Sequence, residues 1–345
     1  MNYGLPYMGS KRKIADDIIR ELPRGEVLVD LFAGGCAITH CALLSGKWRR
    51  VIANDVCDVV RLFGDGVAGK YHDERRWISR EDFFRLKDAD PYVRYCWSFG
   101  GNGQDYIYGR TIEPYKRALH NVVMHDDWAE FAELCPEVVD ACKAQLSIIA
   151  DTKQRRIWVG RAVVTWLKAH GTAEMIENNP LYNSCHRKSG HVERLQSLES
   201  LESLESLERL QSLERLQRLQ SLERLQRLQS LQGFQRVTLS QKDYREVMIP
   251  AGAIVYCDPP YKGTHEYNDT FDHAAFYDWL RTRDFPVYVS EYAMPDDFVK
   301  VWGKMVKSTL SATSNSTPAP EGLYLHKRWL HKRKPAPVQL QLFSI

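Results

Sequence analysis

Short apolar runs closed by small or acidic residues punctuate both ends of the chain. Val27-Leu28-Val29 before Asp30, Val51-Ile52-Ala53 before Asn54-Asp55, Ala253-Ile254-Val255-Tyr256-Cys257 before Asp258, and Val287-Tyr288-Val289 before Ser290 each read as a buried strand. Behind Ser10, residues Ile14, Ile18, Ile19 and Leu22 fall on one face of a helix with Ser10 at its N-cap. The middle of the chain changes character. Thr111 to Ala169 reads mostly as helices with a buried Trp166, and His170 to His191 as a polar loop. Tyr95 to Gly103 is rich in aromatics and glycine, and fits either the border of a binding pocket or a core turn packing Trp97 and Phe99.

From Val192 to Val237 an apolar residue stands at every third position, through each Leu from Leu195 to Leu231, then Phe234 and Val237. That period suits neither common element. Each step of three turns about 300° around an α-helix, so the Leu stripe winds off any single core face. In a flat strand the same step alternates faces, and long 3₁₀ runs are rarely sustained. A β-solenoid, with short sides joined by bends, points every Leu inward and stacks coil on coil. A long helix or helical hairpin is the alternative, because Leu, Glu, Gln and Arg are good helix formers; disorder is a third. Arg209, Arg215, Arg218, Arg224 and Arg227 could track a nucleic-acid backbone, but Glu residues of similar number cancel that charge. A spacer or a partner surface fits equally.

The 345 residues suffice for one α/β domain and an insert. A net charge of +3 is too small to drive nucleic-acid binding by itself, so affinity would rest on local patches. Lys47-Trp48-Arg49-Arg50, Lys153-Gln154-Arg155-Arg156, and Lys327-Arg328-Trp329 with Lys332-Arg333-Lys334 are the candidates. Eight cysteines without C-x-x-C or metal-ligand spacing suggest reduced thiols in the cytoplasm and no metal centre. With no signal peptide and no long apolar run, secretion and membrane insertion are not expected.

Three segments carry candidate chemistry. Asp258-Pro259-Pro260-Tyr261 follows a buried strand, and the carboxyl ends of such strands are where open α/β sheets bind ligands. An amino nitrogen conjugated to an aromatic ring is a poor nucleophile, and acceptors placed on its N–H groups favour the pyramidal form that attacks. The Asp258 carboxylate and the Pro259 carbonyl can be those acceptors, proline holds the backbone in one shape, and Tyr261 offers a flat face for a base rotated out of a duplex. The bland alternative is an Asp-Pro turn closing a strand. In the second segment, Asp30-Leu31-Phe32-Ala33-Gly34-Gly35, the glycines permit close backbone approach to a ligand. Asp55, at the end of the next short strand, can take both hydroxyls of a ribose or cap a helix. The third segment is Tyr7-Met8-Gly9-Ser10-Lys11, where Lys11 in a first helical turn opposes the helix dipole and so suggests an anionic partner.

Together these segments resemble the Dam-like, alpha-class DNA N6-adenine methyltransferases, phage-type relatives included, which share the order Y-x-G-x-K, DLFAGG, recognition region, DPPY. The resemblance covers roughly residues 1–110 and 237–345, with further matches at Tyr267, Phe271, Phe276 and Ser290-Glu291-Tyr292. It implies a Rossmann-like α/β domain with a mixed, mostly parallel sheet, and S-adenosylmethionine as methyl donor. Tyr7, Lys11, Asp30, Phe32, Ala33, Gly34, Gly35 and Asp55 match donor-binding positions, and Asp258 matches the acid where donor and target amine meet. Pro259, Pro260 and Tyr261 complete the catalytic loop. Tyr7 stands where the Dam enzymes usually carry Trp. Asp258 favours adenine, since N4-cytosine enzymes more often have Ser there. The implied partner is double-stranded DNA. The implied organisation is a catalytic domain over 1–92 and 237–345, a mainly helical target-recognition region over 93–190, and the Leu-rich repeat over 191–236.

Overall fold

The structure is a computed structural model describing residues 3–5, 7–146, 149, 151–171, 228, 236–261, 271–306 and 319–332. Two compact units form, Met1–His72 with Arg224–Ile345, and Asp73–Glu223. Residues 73–92, grouped with the catalytic domain on sequence, pack in the second unit.

The first unit is built on a seven-stranded sheet of order β3-β2-β1-β4-β5-β7-β6. Its strands are β1 (Gly25–Asp30), β2 (Trp48–Asp55), β3 (Val237–Gln241), β4 (Ile254–Cys257), β5 (Val287–Glu291), β6 (Phe298–Val306) and β7 (Ala319–His326). The first five run parallel, and β7 is antiparallel to both β5 and β6. Every residue of β4 and β5 is buried, as continuous apolar strands covered on both faces should be. Chain order reverses beside β1, which has β2 on one side and β4 on the other. Such a reversal opens a crevice at the strands' carboxyl ends.

Helices α1 (Ala15–Glu21), α2 (Ala37–Ser45) and α3 (Val59–Val67) belong to this sheet, with Ile14, Ile18, Ile19 and Leu22 all buried as the spacing predicts. The N-cap prediction fails. The Ser10 hydroxyl caps nothing, and the chain first makes a 3₁₀ turn, Lys11–Lys13, before α1 begins. That turn aims the Lys11 side chain into the protein interior, which a straight α-helical start at Ser10 was not expected to do. At the other end of α1, Lys47 donates to the carbonyls of Ile19, Arg20 and Leu22 and so satisfies the orphan acceptors there. Lys47 and the buried Trp48 are therefore structural, leaving Arg49 and Arg50 exposed from the first basic patch. In the last patch, Arg328 donates to the carbonyls of Leu280 and Arg283.

The second unit bears out the helical reading of residues 111–169. Its elements are α4 (Arg80–Leu86), α5 (Pro91–Cys96), α6 (Glu113–His125), α7 (Ala129–Leu134), α8 (Val139–Leu146) and α9 (Thr152–His170). Trp97 is fully buried and Tyr95 is buried, but Phe99 is half exposed, so the aromatic–glycine stretch serves the core through Tyr95 and Trp97 and not through Phe99. Trp166 is half-buried and stacks on His170, four residues on along α9, rather than entering the core. Arg155 is held by Asp126 and the Val122 carbonyl, and Arg156 is buried, so the two arginines of this patch are engaged within the unit. The repeat over 191–235, apart from the buried Leu228, lies outside the described residues, as do loop 172–191, Tyr267, Arg333 and Lys334.

Helix α10 (His273–Thr282) closes the first unit's core, where Phe276 packs among Phe32, Tyr244 and Trp279. Phe276 is fully buried. Its replacement by Ala is expected to cost about 3–5 kcal/mol, the usual range for emptying an aromatic site. Chemical denaturation measures it, and a cost below about 1 kcal/mol would show that this cluster is not the keystone of the core.

Candidate active site

The carboxyl ends of β1, β2 and β4 lie side by side, and the loop after β1 is sewn to both neighbours. Leu31 N–H donates to the Tyr256 carbonyl at 3.0 Å, and Ala33 N–H to that of Asn54 at 2.8 Å. Asn54 in turn donates to the Leu31 and Lys242 carbonyls and accepts from Ser240, fastening this loop to β3 and the residues after it. The sequence marked the strand around Asn54 but not this role.

The glycines meet a constraint different from the one expected. The N-terminal segment crosses directly over them, with Leu5 N–H donating to the Gly35 carbonyl at 2.6 Å. A Cβ on Gly34 would come within 2.9 Å of the Tyr7 ring, and one on Gly35 within 2.7 Å of the Tyr7 Cβ. Gly4, at φ +63°, would place a Cβ 2.3 Å from the Gly35 carbonyl oxygen. The close approach is thus first of all that of the chain to itself, and it sets Tyr7 against the loop. Phe32 turns the other way, its ring 5.3 Å from Tyr244 and 5.7 Å from Phe271, while Ala33 is buried.

Asp55 accepts from Gly34 N–H at 2.7 Å with one oxygen and from Cys57 N–H at 2.8 Å with the other. It does not cap α3, whose N-cap is Asp58. Each oxygen keeps a further lone pair for a ligand hydroxyl. Burial raises the Asp55 carboxyl above its ordinary value, against the pull of those two N–H groups. Asp30, 1% exposed, accepts from the Thr39 hydroxyl at 2.8 Å through Oδ2, while its Oδ1 has no hydrogen-bond partner among the described residues. Burial pushes its carboxyl up to about 7; Thr39 opposes that, and the nearby Asp258 and Asp55 add to it.

Asp258 follows β4, with Pro259 buried and Pro260 half-buried behind it. Its Oδ1 lies 2.9 Å from the Lys11 Nζ, an ion pair by distance that lacks hydrogen-bond alignment. Burial raises Asp258 to about 6, Lys11 draws it down, and Glu321 adds to the rise. Burial also pulls the Lys11 amine down, but Asp258 and Glu321 outweigh it and hold the amine above the ordinary lysine value. Lys11 therefore has a protein anion as its partner, and its Nζ stands 4.4 Å from the centre of the Tyr261 ring. Tyr261 is correspondingly less open than the sequence suggested: it is buried, edge-on to Tyr292 at 4.5 Å, and its hydroxyl donates to Glu321 at 2.6 Å.

Glu321 escaped the sequence reading. It stands on β7, sixty positions from Tyr261 along the chain, in a stretch with no motif. Ser290 and Glu291 do end β5 as expected, with Ser290 bonded to Tyr256 at 2.8 Å and Glu291 buried and accepting from Tyr292 N–H. The structure thus gathers Lys11, Asp258 and Tyr261 into one cluster, and Tyr7, Gly34, Gly35 and Asp55 into a second on the neighbouring loop.

A seven-stranded, mostly parallel sheet with this crevice is compatible with the Rossmann-like fold of methyltransferases. Residues 7–63 match the family described as D12 class N6 adenine-specific DNA methyltransferase. The matched segment contains Tyr7, Lys11, the glycine loop and Asp55, whereas Asp258 lies beyond it. The match supports an adenine-specific DNA methyltransferase. No curated protein matches the chain significantly. No helix among the described residues is long and apolar enough to cross a membrane.

Asp30 makes a pH prediction. Its folded value near 7 lies above the roughly 4 of an unfolded aspartate, so the stability it contributes is full below pH about 4 and is lost as pH rises through about 7. Asp30→Asn keeps an acceptor for Thr39 without the charge. The variant's stability should fall less than the wild type's between pH 5 and pH 8, by on the order of 2–4 kcal/mol. Urea unfolding at both pH values measures the difference; identical pH dependence would mean the Asp30 charge carries no penalty.

Proposed function

We propose that this protein transfers a methyl group from S-adenosylmethionine to N6 of an adenine rotated out of double-stranded DNA, as a Dam-like alpha-class enzyme acting in the cytoplasm. The observation that carries this reading is the cluster of Asp258, Lys11 and Tyr261 at the carboxyl end of β4, beside the glycine loop of β1.

The residues present fit the donor. Asp30 Oδ1 is a buried acceptor awaiting a donor group, and Asp55 keeps free lone pairs at a strand end suited to a ribose. Tyr7, Lys11, Asp30, Phe32, Ala33, Gly34, Gly35 and Asp55 would hold it. When bound, S-adenosylmethionine supplies an electrophilic methyl group on a positively charged sulfur. Asp258 accepts a hydrogen bond from the target amine and the Pro259 carbonyl accepts a second, which concentrates the nitrogen lone pair on the attacking side. Asp258 must be ionised for this, and its raised value near 6 keeps it mostly so at neutral pH.

Tyr261 stacks on the base. Such a stack is worth about 1–3 kcal/mol. Target recognition falls to the region 93–190, and the repeat over 191–236 acts as a spacer or partner surface.

Incubation with labelled donor and mixed duplex DNA, followed by nucleoside mass spectrometry, tests the reading. N6-methyladenine supports it; N4-methylcytosine alone, or no methylated base, overturns it. Asp258→Ala should lower kcat by two to three orders of magnitude, roughly 3–4 kcal/mol, with donor affinity nearly unchanged. In the wild type, kcat/KM should fall on the acid side of pH about 6, because protonation removes the acceptor. A profile flat down to pH 5 would remove Asp258 from this role. Asp55→Ala should raise the donor Kd about tenfold or more while changing kcat much less, since a ribose is remote from the reacting methyl. A change confined to kcat would argue against ribose binding.

A further inference from the structure

We propose that Glu321, on the antiparallel strand β7, is a positioning residue of this site: its carboxylate fixes the Tyr261 ring through the hydroxyl and supplies a second negative charge that keeps Lys11 over that ring. The proposal rests on the methyltransferase reading for its consequence in catalysis, and on geometry alone for the contact.

The contact is a short, charge-assisted hydrogen bond, 2.6 Å from the Tyr261 hydroxyl to Glu321 Oε2. Glu321 is itself paired with β6, and the next residue, Gly322, is paired with both β6 and β5, so the carboxylate is a strand side chain rather than a loop one. Glu321 is paired in register with Lys304, yet Lys304 extends to Asp17 at 2.8 Å, leaving the Glu321 carboxylate to the Tyr261 side. With its hydroxyl anchored, its edge against Tyr292 and Lys11 over its face, the Tyr261 ring has one orientation. A base can stack only where that ring points.

The charge acts beyond the contact. The ion pair that Lys11 makes is with Asp258, but the field of Glu321 raises both the Lys11 amine and the Asp258 carboxyl. The groups facing Asp258 are Lys11 from the N-terminal turn, Tyr261 on its own loop, Tyr256 on β4, Asp30 on β1, Tyr292 after β5 and Glu321 on β7. Two carboxylates, Asp258 and Glu321, thus act on one lysine. Removing the Glu321 charge lets Asp258 ionise at lower pH and weakens the hold on the Lys11 proton.

Two measurements test this. The first needs no activity: melting temperatures of Tyr261→Phe, Glu321→Ala and the double variant. The losses should not add, because either substitution breaks the same bond; strictly additive losses overturn the contact. The second uses the methylation assay over pH. Glu321→Ala should lower kcat/KM for DNA about ten- to a hundredfold, the effect of a misplaced reacting partner, with donor affinity by calorimetry unchanged. Glu321→Gln retains an acceptor for the hydroxyl, so it should recover most of that loss while its acid limb moves to lower pH. If the Gln variant is as impaired as the Ala variant and its acid limb is unmoved, Glu321 is only a strut, and the proposal fails. If the wild type methylates nothing, the functional reading falls while the melting cycle still decides the contact.

Discussion

Burying negative charge is the constraint on which this site is built. Asp30, Asp55, Asp258 and Glu291 all stand at or just beyond the carboxyl ends of neighbouring parallel strands, with Glu321 across on β7. The parallel sheet concentrates them, since every strand delivers its last residue to the same edge. The protein meets the cost in different ways at each position. Asp55 receives two backbone N–H groups, Glu291 receives one, Asp258 receives Lys11, and Asp30 receives the Thr39 hydroxyl on one oxygen, with no partner for the other among the described residues. Removing a positive partner from such a set is worse than never having had the charge, which makes Lys11 the side chain the others depend on.

Lys11 reaches that position because the N-terminal segment is strapped across the sheet's edge. Tyr3 donates to Asp16, Gly4 N–H to His40 and Leu5 N–H to the Gly35 carbonyl, so residues 3–5 are held before the 3₁₀ turn begins. Gly4 and Gly35 allow two backbones to touch where any side chain would force them apart. The strap therefore links the two halves of the crevice: Tyr7 lies on the β1 loop while Lys11, four residues on, lies at the end of β4.

Much of this was legible because strands and their terminal acids leave local traces. Four apolar runs ending in Asp or Ser were enough to place β1, β2, β4 and β5 and the acids that follow them. The misreadings share a cause, which is that a side chain's partner lies elsewhere in the chain. Lys11 looked like a cation waiting for a ligand because Asp258 is far away in sequence. Lys47 and Arg155 looked like surface charge because the carbonyls they satisfy belong to other helices. Tyr261 looked open because Glu321 on β7 and Tyr292 just after β5 are brought to it by strand pairing that no local pattern announces. Trp166 was expected to be buried in the helical region, but its ring packs on His170 of its own helix.

The edge position of β3 bears on how this gene product can change over time. The triplet array ends at Val237, which is the first residue of β3, and β3 is the outermost strand on its side of the sheet. Val51 N–H takes the Arg236 carbonyl, and Asn54 grips Ser240 and Lys242, so the returning chain is locked in register as soon as it arrives. The register of β1 against β4, which pairs Asp30 with Tyr256, is made by residues outside the array. The pairing of β2 with β1 stands between it and that lock, so the chemical centre does not share a strand with the repeating stretch whose copy number can drift.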